Sequence, residues 1–223
     1  MNYFTPEFIQ FLRELPANNN RDWFQENKNR YEEFVKIPFE KFIEELILEL
    51  KKEDNRLNEI SAKDCIFRIY RDVRFSKDKS PYKIHVSALI SPTGRKSING
   101  FGLYIELSGE HVRLYSGAYM PSSELLLNIR QKIYEEPERL EKLIRDKKFK
   151  ENFGEIRGER NKRINKPFSE IAEKHPLILN KSFYYFKEYA PEIVLEKGFI
   201  RQLIKDYQIV QPLNRFFEEA ISE

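Results

Sequence analysis

Six basic side chains lie within the sixteen-residue segment RIYRDVRFSKDKSPYK, residues 68–83. Only two acids accompany them, so the segment carries a net charge of +4, more than the +3 of the whole chain. A planar guanidinium binds phosphate or carboxylate through two parallel hydrogen bonds, and a lysine ammonium adds a point charge. Because two acids cannot neutralise six bases, the segment predicts an anion-binding site.

The same charges also have a structural interpretation. Asp72 and Asp78 can pair with the arginines in a network that holds the fold, while the lysines stay solvated. Structural ion-pair networks perturb ionisable groups much as active sites do. The sequence leaves both alternatives open.

Alternating polarity predicts that residues 65–75 form a half-buried β-strand. One face carries mostly apolar side chains, namely Cys65, Phe67, Ile69, Val73 and Phe75. Arg68, Tyr70, Asp72 and Arg74 fall on the other face. The Ser, Asp and Pro residues of 76–81 are typical of a turn. That turn would present Lys77 and Lys79, and Lys83 would open the next strand.

Three further strands are predicted over residues 84–90, 101–107 and 111–117, with a loop over 91–100. Short turns favour an antiparallel meander. If the apolar faces share one core, the polar faces share one surface. That surface would collect Arg68, Tyr70, Asp72, Arg74, His85, Tyr104, Glu106, Arg113 and Tyr115. Arginine and tyrosine can bond an anion and stack on a planar group, whereas the alternative is a solvated or helix-covered face with cross-strand pairs.

These considerations give a candidate site. The predicted ligand-binding residues are Arg68, Tyr70, Arg74, Lys77, Lys79, Lys83, Tyr104, Arg113 and Tyr115. Asp72 and His85 are the catalytic candidates, with His85 as a general base if it shares the open sheet face with Asp72; the alternative for His85 is an ordinary surface histidine.

No metal site is predicted, because the three histidines are far apart in sequence and Cys65 falls on a core face. No cofactor is identified, and whether the chain is an enzyme stays open.

The segment 68–83 resembles the signature of a widespread family of uncharacterised proteins, a domain of unknown function. NNNRDWFQENKNRY (residues 18–31) resembles that family's N-terminal marker, and SGAYMPSSELLLNIR (residues 116–130) is similar to its small-residue turn before a helix. The resemblance is clear to about Arg130 and vaguer beyond. It implies kinship of fold, with no activity, cofactor or catalytic residue to carry over.

Composition and helical periodicity complete the prediction of an α+β fold. We expect one domain over residues 1–223, with a helical part (1–58), a central antiparallel sheet of about four or more strands (59–118) and a mainly helical part (119–223). One cysteine excludes an intramolecular disulfide, and no apolar run is long enough to span a bilayer. A cytoplasmic protein without a membrane partner is therefore expected; its oligomeric state stays open.

A second basic run, RGERNKRINK (residues 157–166), carries five bases and one acid. It is interpreted as a flexible, solvated loop, as such runs usually are. Three functions are compatible with the sequence. The first is binding of, or catalysis on, a phosphorylated or carboxylated small molecule. The second is nucleic-acid binding, with the basic turn on phosphates and Tyr70, Tyr104 or Tyr115 stacked on bases. The third is a structural or interaction module.

Overall fold

A computed structural model describes residues 2–96 and 101–221 and shows an α+β fold. Four strands form one antiparallel sheet in the order β1-β2-β3-β4. Their bounds are β1 (His85–Ile90), β2 (Leu103–Ser108), β3 (Val112–Ala118) and β4 (Phe183–Tyr189). The predicted fold class is confirmed, with helices on the N-terminal and C-terminal sides of the sheet in the chain. Residues 97–100 of the predicted loop lie outside the described residues.

The alternation predicted for the central strands is present. In β2, Leu103 and Ile105 are buried and Tyr104 and Glu106 are half-buried. Strand β3 follows the same pattern, with every second side chain buried at its start. The two strands are joined by a short turn that Ser108 closes, because its hydroxyl accepts backbone hydrogen bonds within the turn. The period-2 signal therefore identified both strands.

The predicted strand over residues 65–75 is wrong. Helix α5 (Ala62–Cys65) occupies its start, and the segment then pairs only at the isolated bridges Ile66–Ala88 and Tyr70–Tyr82. The fourth strand is β4 instead. Beyond Tyr70 in the chain the apolar side chains of this segment are no longer buried, and Phe75 is 95% exposed. There, the carboxylates of Asp72 and Asp78 accept hydrogen bonds from nearby backbone N–H groups, and these local bonds replace the pairing between strands.

The N-terminal region is helical, as predicted. Its helices are α1 (Pro6–Glu14), α2 (Arg21–Glu26), α3 (Lys28–Tyr31) and α4 (Ile37–Lys51). A π-helical stretch, Glu32–Lys36, lies between the last two and agrees with the break expected near Lys36, since Pro38 falls in the first turn of α4. Trp23, expected in the core, is half-buried, and its neighbour Phe24 is the buried ring.

The C-terminal region contains α6 (Ser123–Glu135), α7 (Pro137–Ile144), α8 (Lys147–Phe153) and α9 (Phe199–Glu218). A separate helix was expected to start at Pro212, but α9 runs through that proline. Val210 and Leu213 are buried on either side of it. Packing of this stripe outweighs the one backbone hydrogen bond that proline removes. Across the described ranges, no helix is long and apolar enough to cross a membrane.

The chain groups into two compact units. Unit 1 comprises Met1–Lys96, Tyr104–Leu114 and Glu188–Ile204, and unit 2 comprises Ser97–Leu103, Tyr115–Lys187 and Lys205–Glu223. Unit 1 has an aromatic core in which Phe42 stacks on Phe199, with 5.2 Å between ring centroids. In unit 2, Phe149 and Phe153 pack edge-on against the fully buried Tyr185. The single domain over residues 1–223, with parts 1–58, 59–118 and 119–223, stays a prediction.

Candidate functional site

The basic segment forms a loop closed by backbone pairing at its base. Arg71 N–H donates to the carbonyl of Pro81 at 2.9 Å, and Lys83 N–H donates to the carbonyl of Ile69 at 2.8 Å. These bonds flank the Tyr70–Tyr82 bridge. Residues 71–81 are here called the basic loop. The loop begins and ends at these paired residues, 69–71 and 81–83, which are called its neck. The turn predicted over 76–81 lies within this loop.

The N-terminal helices hold that neck in place. The Asn19 side-chain amide donates to the carbonyl of Tyr82 at 2.9 Å, and its oxygen accepts from the Tyr82 N–H at 3.0 Å. One asparagine thus takes the hydrogen-bonding position of a neighbouring strand. Phe24 stacks on the Tyr82 ring, with 3.9 Å between centroids and 15° between planes. Tyr70, which is 53% exposed, completes the cluster at 5.3 Å from Tyr82.

Inside the basic loop, two arginines are paired with local acids. Asp72 accepts two hydrogen bonds from the guanidinium of Arg74, at 3.0 and 2.7 Å. Arg71 donates to Asp78 at 2.5 Å and to the carbonyl of Ser80 at 3.1 Å. Hydrogen bonds from Ser80, with those from Arg71, lower the pKa of Asp78 to about 2, and the Arg74 contact lowers the pKa of Asp72. The structural interpretation of the motif thus applies to these pairs.

The loop lysines differ in their contacts. Lys79 donates to the carbonyl of Val73 at 3.0 Å and so ties the two sides of the loop together. Lys77 is exposed and makes no ion pair within the part of the chain that the structure describes. Both ammonium groups face solvent, where an isolated charge is well hydrated.

Arg68 and Lys83 flank the neck and behave differently from the loop pairs. Neither forms an ion pair within 4.0 Å with any described residue. The Lys83 ammonium lies 5.1 Å from the centroid of the Phe67 ring. Burial lowers the pKa of Lys83, the guanidinium of Arg68 lowers it further, and Glu106 acts in the opposite sense. Two like charges therefore repel one another beside a partly desolvated surface.

Strands β1 and β2 place a histidine–carboxylate cluster in the same unit. Glu106 Oε1 lies 3.0 Å from His111 Nε2, and its Oε2 lies 3.6 Å from His85 Nε2. The hydroxyl of Tyr104 donates to the same carboxylate at 3.4 Å. Burial lowers the pKa of His85, Lys83 and His111 lower it further, and Glu106 opposes them. His85 is consequently a neutral imidazole at pH 7.

The carboxylate beside His85 is therefore Glu106. Asp72, the other catalytic candidate, is exposed and hydrogen-bonded to Arg74. The catalytic roles of Asp72 and His85 stay predictions. His111 was missed as a member of this cluster. Its position two residues before Arg113, on the polar side of β3, is the signal that would have found it.

The remaining predicted site residues do not join this cluster. Arg113 donates to Glu188 Oε2 at 2.6 Å, so it has a cross-strand acid of its own. Tyr115 belongs to unit 2 and packs against Phe186 at 5.0 Å. Arg68, Lys83, His85 and Tyr104 are thus the predicted residues that share a neighbourhood in unit 1.

The potential metal ligands and the single cysteine complete the description of the candidate site. Among residues 2–96 and 101–221, no three His, Cys, Asp or Glu side chains are arranged as a metal-ion site. Cys65 is fully buried, and its burial raises the thiol pKa to about 11. Such a thiol is protonated at neutral pH and is a poor nucleophile.

Comparison with known proteins identifies one family, described as a conserved hypothetical protein (DUF2461), whose model matches residues 7–216. The chain belongs to the DUF2461 family. The match extends well past Arg130, where the sequence resemblance became vague. No curated protein and no solved structure matches the chain significantly.

Two of the stretches in which the chain resembles the family are in contact at the neck of the basic loop. The two N-terminal stretches that carry the resemblance meet there: Asn19 and Phe24 come from the first, and Tyr82 comes from the second. Asn19 and Tyr82 are 63 residues apart along the chain, and they join the two stretches into one packed unit. These two stretches therefore position the basic loop.

Proposed function

We propose that this protein binds a phosphorylated or carboxylated small molecule beside the neck of the basic loop, with Arg68 and Lys83 as the cations that bind it. The supporting observation is that the half-buried Lys83 holds its ammonium 5.1 Å from the Phe67 ring centroid and that neither it nor Arg68 forms an ion pair within 4.0 Å with a described acid. The Arg68 guanidinium also lowers the pKa of Lys83. An anion between them would relieve this repulsion and would replace the water that burial removes from Lys83.

Two neighbouring features support a planar or hydroxylated ligand. Phe67 and Tyr104, with 6.0 Å between ring centroids, offer apolar area next to the cations. Neutral His85, backed by Glu106, is suited to accept a proton from a ligand hydroxyl or bound water. On this proposal any catalysis is acid–base chemistry at His85. Tyr70, Arg74, Lys77 and Lys79 contribute long-range attraction for the anion.

The proposal is tested by calorimetric titration with inorganic phosphate, a sugar phosphate and a tricarboxylate. A charged hydrogen bond contributes about 1.5–3 kcal/mol. We therefore expect Arg68→Ala and Lys83→Gln each to weaken binding by about ten-fold or more. Arg74→Ala is the matched control, since its guanidinium is already paired with Asp72, and we expect a change of less than about three-fold.

Three results would contradict the proposal. The first is that none of the three anions binds to the wild-type protein. The second is that Arg74→Ala weakens binding as much as Arg68→Ala. The third is that Arg68→Ala lowers the melting temperature and leaves affinity unchanged, which would favour a structural module. Nucleic-acid binding by the same loop would instead show a steep loss of affinity with salt.

A further inference from the structure

The first part of the second basic run pairs with β4 and with the segment that precedes it. Arg157 and Tyr184 exchange both backbone hydrogen bonds, at 2.7 and 3.1 Å, and Asn161 N–H donates to the carbonyl of Leu179 at 2.8 Å. Gly158 has φ +153°, and a Cβ there would lie 2.0 Å from the carbonyl oxygen of Ser182. Residues 157–161 therefore pair with the segment that leads into β4, whereas residues 162–166 continue as a loop. The flexibility expected for this run stays a prediction.

Most of the charge on this run is not neutralised by described residues. Lys166 lies 3.5 Å from the exposed Glu170, and Arg160 donates to the neutral amide of Asn180 at 3.0 Å. Lys162 and Arg163 are exposed and form no ion pair anywhere in residues 2–96 and 101–221. The one acid of the run, Glu159, is exposed and lies 3.5 Å from Lys181, a base outside the run. A positively charged strip results, and its first part is paired with the segment around β4.

Aromatic rings of unit 2 lie next to this strip. Phe186 packs against Tyr115 at 5.0 Å, and the Arg157 guanidinium lies over the Phe186 ring at 4.1 Å. Tyr184, two residues before Phe186 on the same side of β4, meets Tyr119 edge-on at 5.4 Å. Tyr119 is 67% exposed. Rings that pack against each other at these distances and also reach solvent offer open faces for stacking.

We propose that this aromatic–arginine surface, made of Tyr119, Tyr184, Phe186, Arg157, Lys162 and Arg163, binds single-stranded nucleic acid. The cations contact successive phosphates, and Tyr119 and Tyr184 stack on bases. Base stacking needs flat, partly exposed rings beside a cationic strip, which is the arrangement found on single-strand-binding surfaces. A duplex keeps its bases paired and offers no free base face to these tyrosines.

The charge pattern favours this partner over an anionic membrane or an acidic protein. The cations at residues 157, 160, 162 and 163 follow one another along a single run, whose first part pairs with the β4 region. Several cations along one run suit the repeating charge of a phosphate backbone.

The test measures fluorescence anisotropy of labelled twelve-nucleotide poly-U and poly-dT strands with the full chain. We expect Tyr119→Ala to weaken binding by about ten-fold, since one stacked base is lost, and Tyr119→Phe to keep most of the affinity. Lys162→Ala with Arg163→Ala should weaken binding further and reduce the salt dependence, because two phosphate contacts are removed. Contact with about three phosphates predicts a log–log salt slope near −2 for a single strand.

Matched controls separate this surface from the basic loop. Lys174→Ala removes an exposed lysine of the same unit, and Phe75→Ala removes the exposed aromatic ring of the basic loop. Both should bind the strands as the wild-type protein does. Arg68→Ala reports separately on the anion site beside the neck. Circular dichroism confirms that each variant is folded.

Four results would overturn the proposal. They are unchanged binding by Tyr119→Ala, a salt-independent affinity, equal or tighter binding of a duplex of the same length, and tighter binding of phosphatidylserine vesicles than of either strand. The last would assign the cations to a membrane surface. Loss of strand binding in Arg68→Ala with full binding in the Tyr119 variant would transfer the interaction to the basic loop.

Discussion

Replacing Asn19 with alanine tests whether the N-terminal motif positions the basic loop. The substitution removes both side-chain hydrogen bonds to the backbone of Tyr82, at 2.9 and 3.0 Å. Tyr82 is only 5% exposed, so its N–H and carbonyl lose partners where water has limited access. Each unsatisfied buried group costs about 1–3 kcal/mol. Because these groups are only partly buried, we expect a total loss of about 2–3 kcal/mol in the free energy of unfolding.

The chain offers a neighbouring control. Asn18 donates one hydrogen bond, at 2.9 Å, to the Glu14 carbonyl near the end of α1. That carbonyl lies where water can replace the lost donor, so Asn18→Ala should cost about 0.5–1 kcal/mol. Asn19→Asp adds a second comparison. It keeps an acceptor for the Tyr82 N–H but sets a carboxylate oxygen against the Tyr82 carbonyl, so it should destabilise the protein at least as much as Asn19→Ala.

Urea denaturation followed by tryptophan fluorescence is the appropriate measurement. Trp23 is the one tryptophan of the chain and belongs to unit 1, where its ring lies 5.5 Å from Phe11. Its signal therefore reports the unfolding of the unit that contains the neck. If Asn19→Ala costs no more than Asn18→Ala, the asparagine does not act as a substitute strand and the explanation of the two motifs fails.

Two further predictions concern the loops themselves. The pKa of Asp78 is lowered to about 2 in the folded state, so its contribution to stability is present above its unfolded pKa, near 3.9, and is lost as the pH falls from about 4 to about 2. Melting temperatures over that range should fall less steeply for Asp78→Asn than for Asp22→Asn, and parallel curves would refute the assignment. Gly158→Ala should destabilise the protein by at least about 2 kcal/mol, measured by circular dichroism, because the new Cβ meets the Ser182 carbonyl. Gly154→Ala has a positive φ but no neighbour within 4 Å, so it should cost about 1 kcal/mol, and equal costs would show that backbone strain alone acts at both positions.

The sequence predicted the fold correctly where the burial of apolar side chains alone decides the structure. In β2 the buried positions alternate strictly with half-buried ones, and the period of the side chains was enough to assign the strand. Residues 65–75 show a similar alternation in the sequence, but Asp72 and Asp78 hydrogen-bond the backbone two residues ahead, at 3.3 and 2.9 Å. These local bonds compete with strand pairing, and polarity alone does not reveal them.

Charge pairing was harder to predict than strand positions, because a count of bases and acids does not say which of them meet. Arg71 and Arg74 reach acids seven and two residues away. Arg68 and Lys83, at the two ends of the same motif, form no ion pair within 4.0 Å with any described residue. Position relative to the neck, rather than charge density, decides which cations stay available.

By the same reasoning, residues 157–166 offer more unpaired cations for a partner than their charge count, compared with that of residues 68–83, suggests. Residues 68–83 carry more bases, yet their acids sit inside the loop and pair with two of its three arginines. Residues 157–166 carry a single acid, which is exposed and close to a lysine outside the run. Backbone pairing with the segment around β4 positions Arg157 and Arg160, and the Arg157 guanidinium lies over the Phe186 ring. A cation whose backbone is already paired loses less conformational entropy when a ligand binds to it.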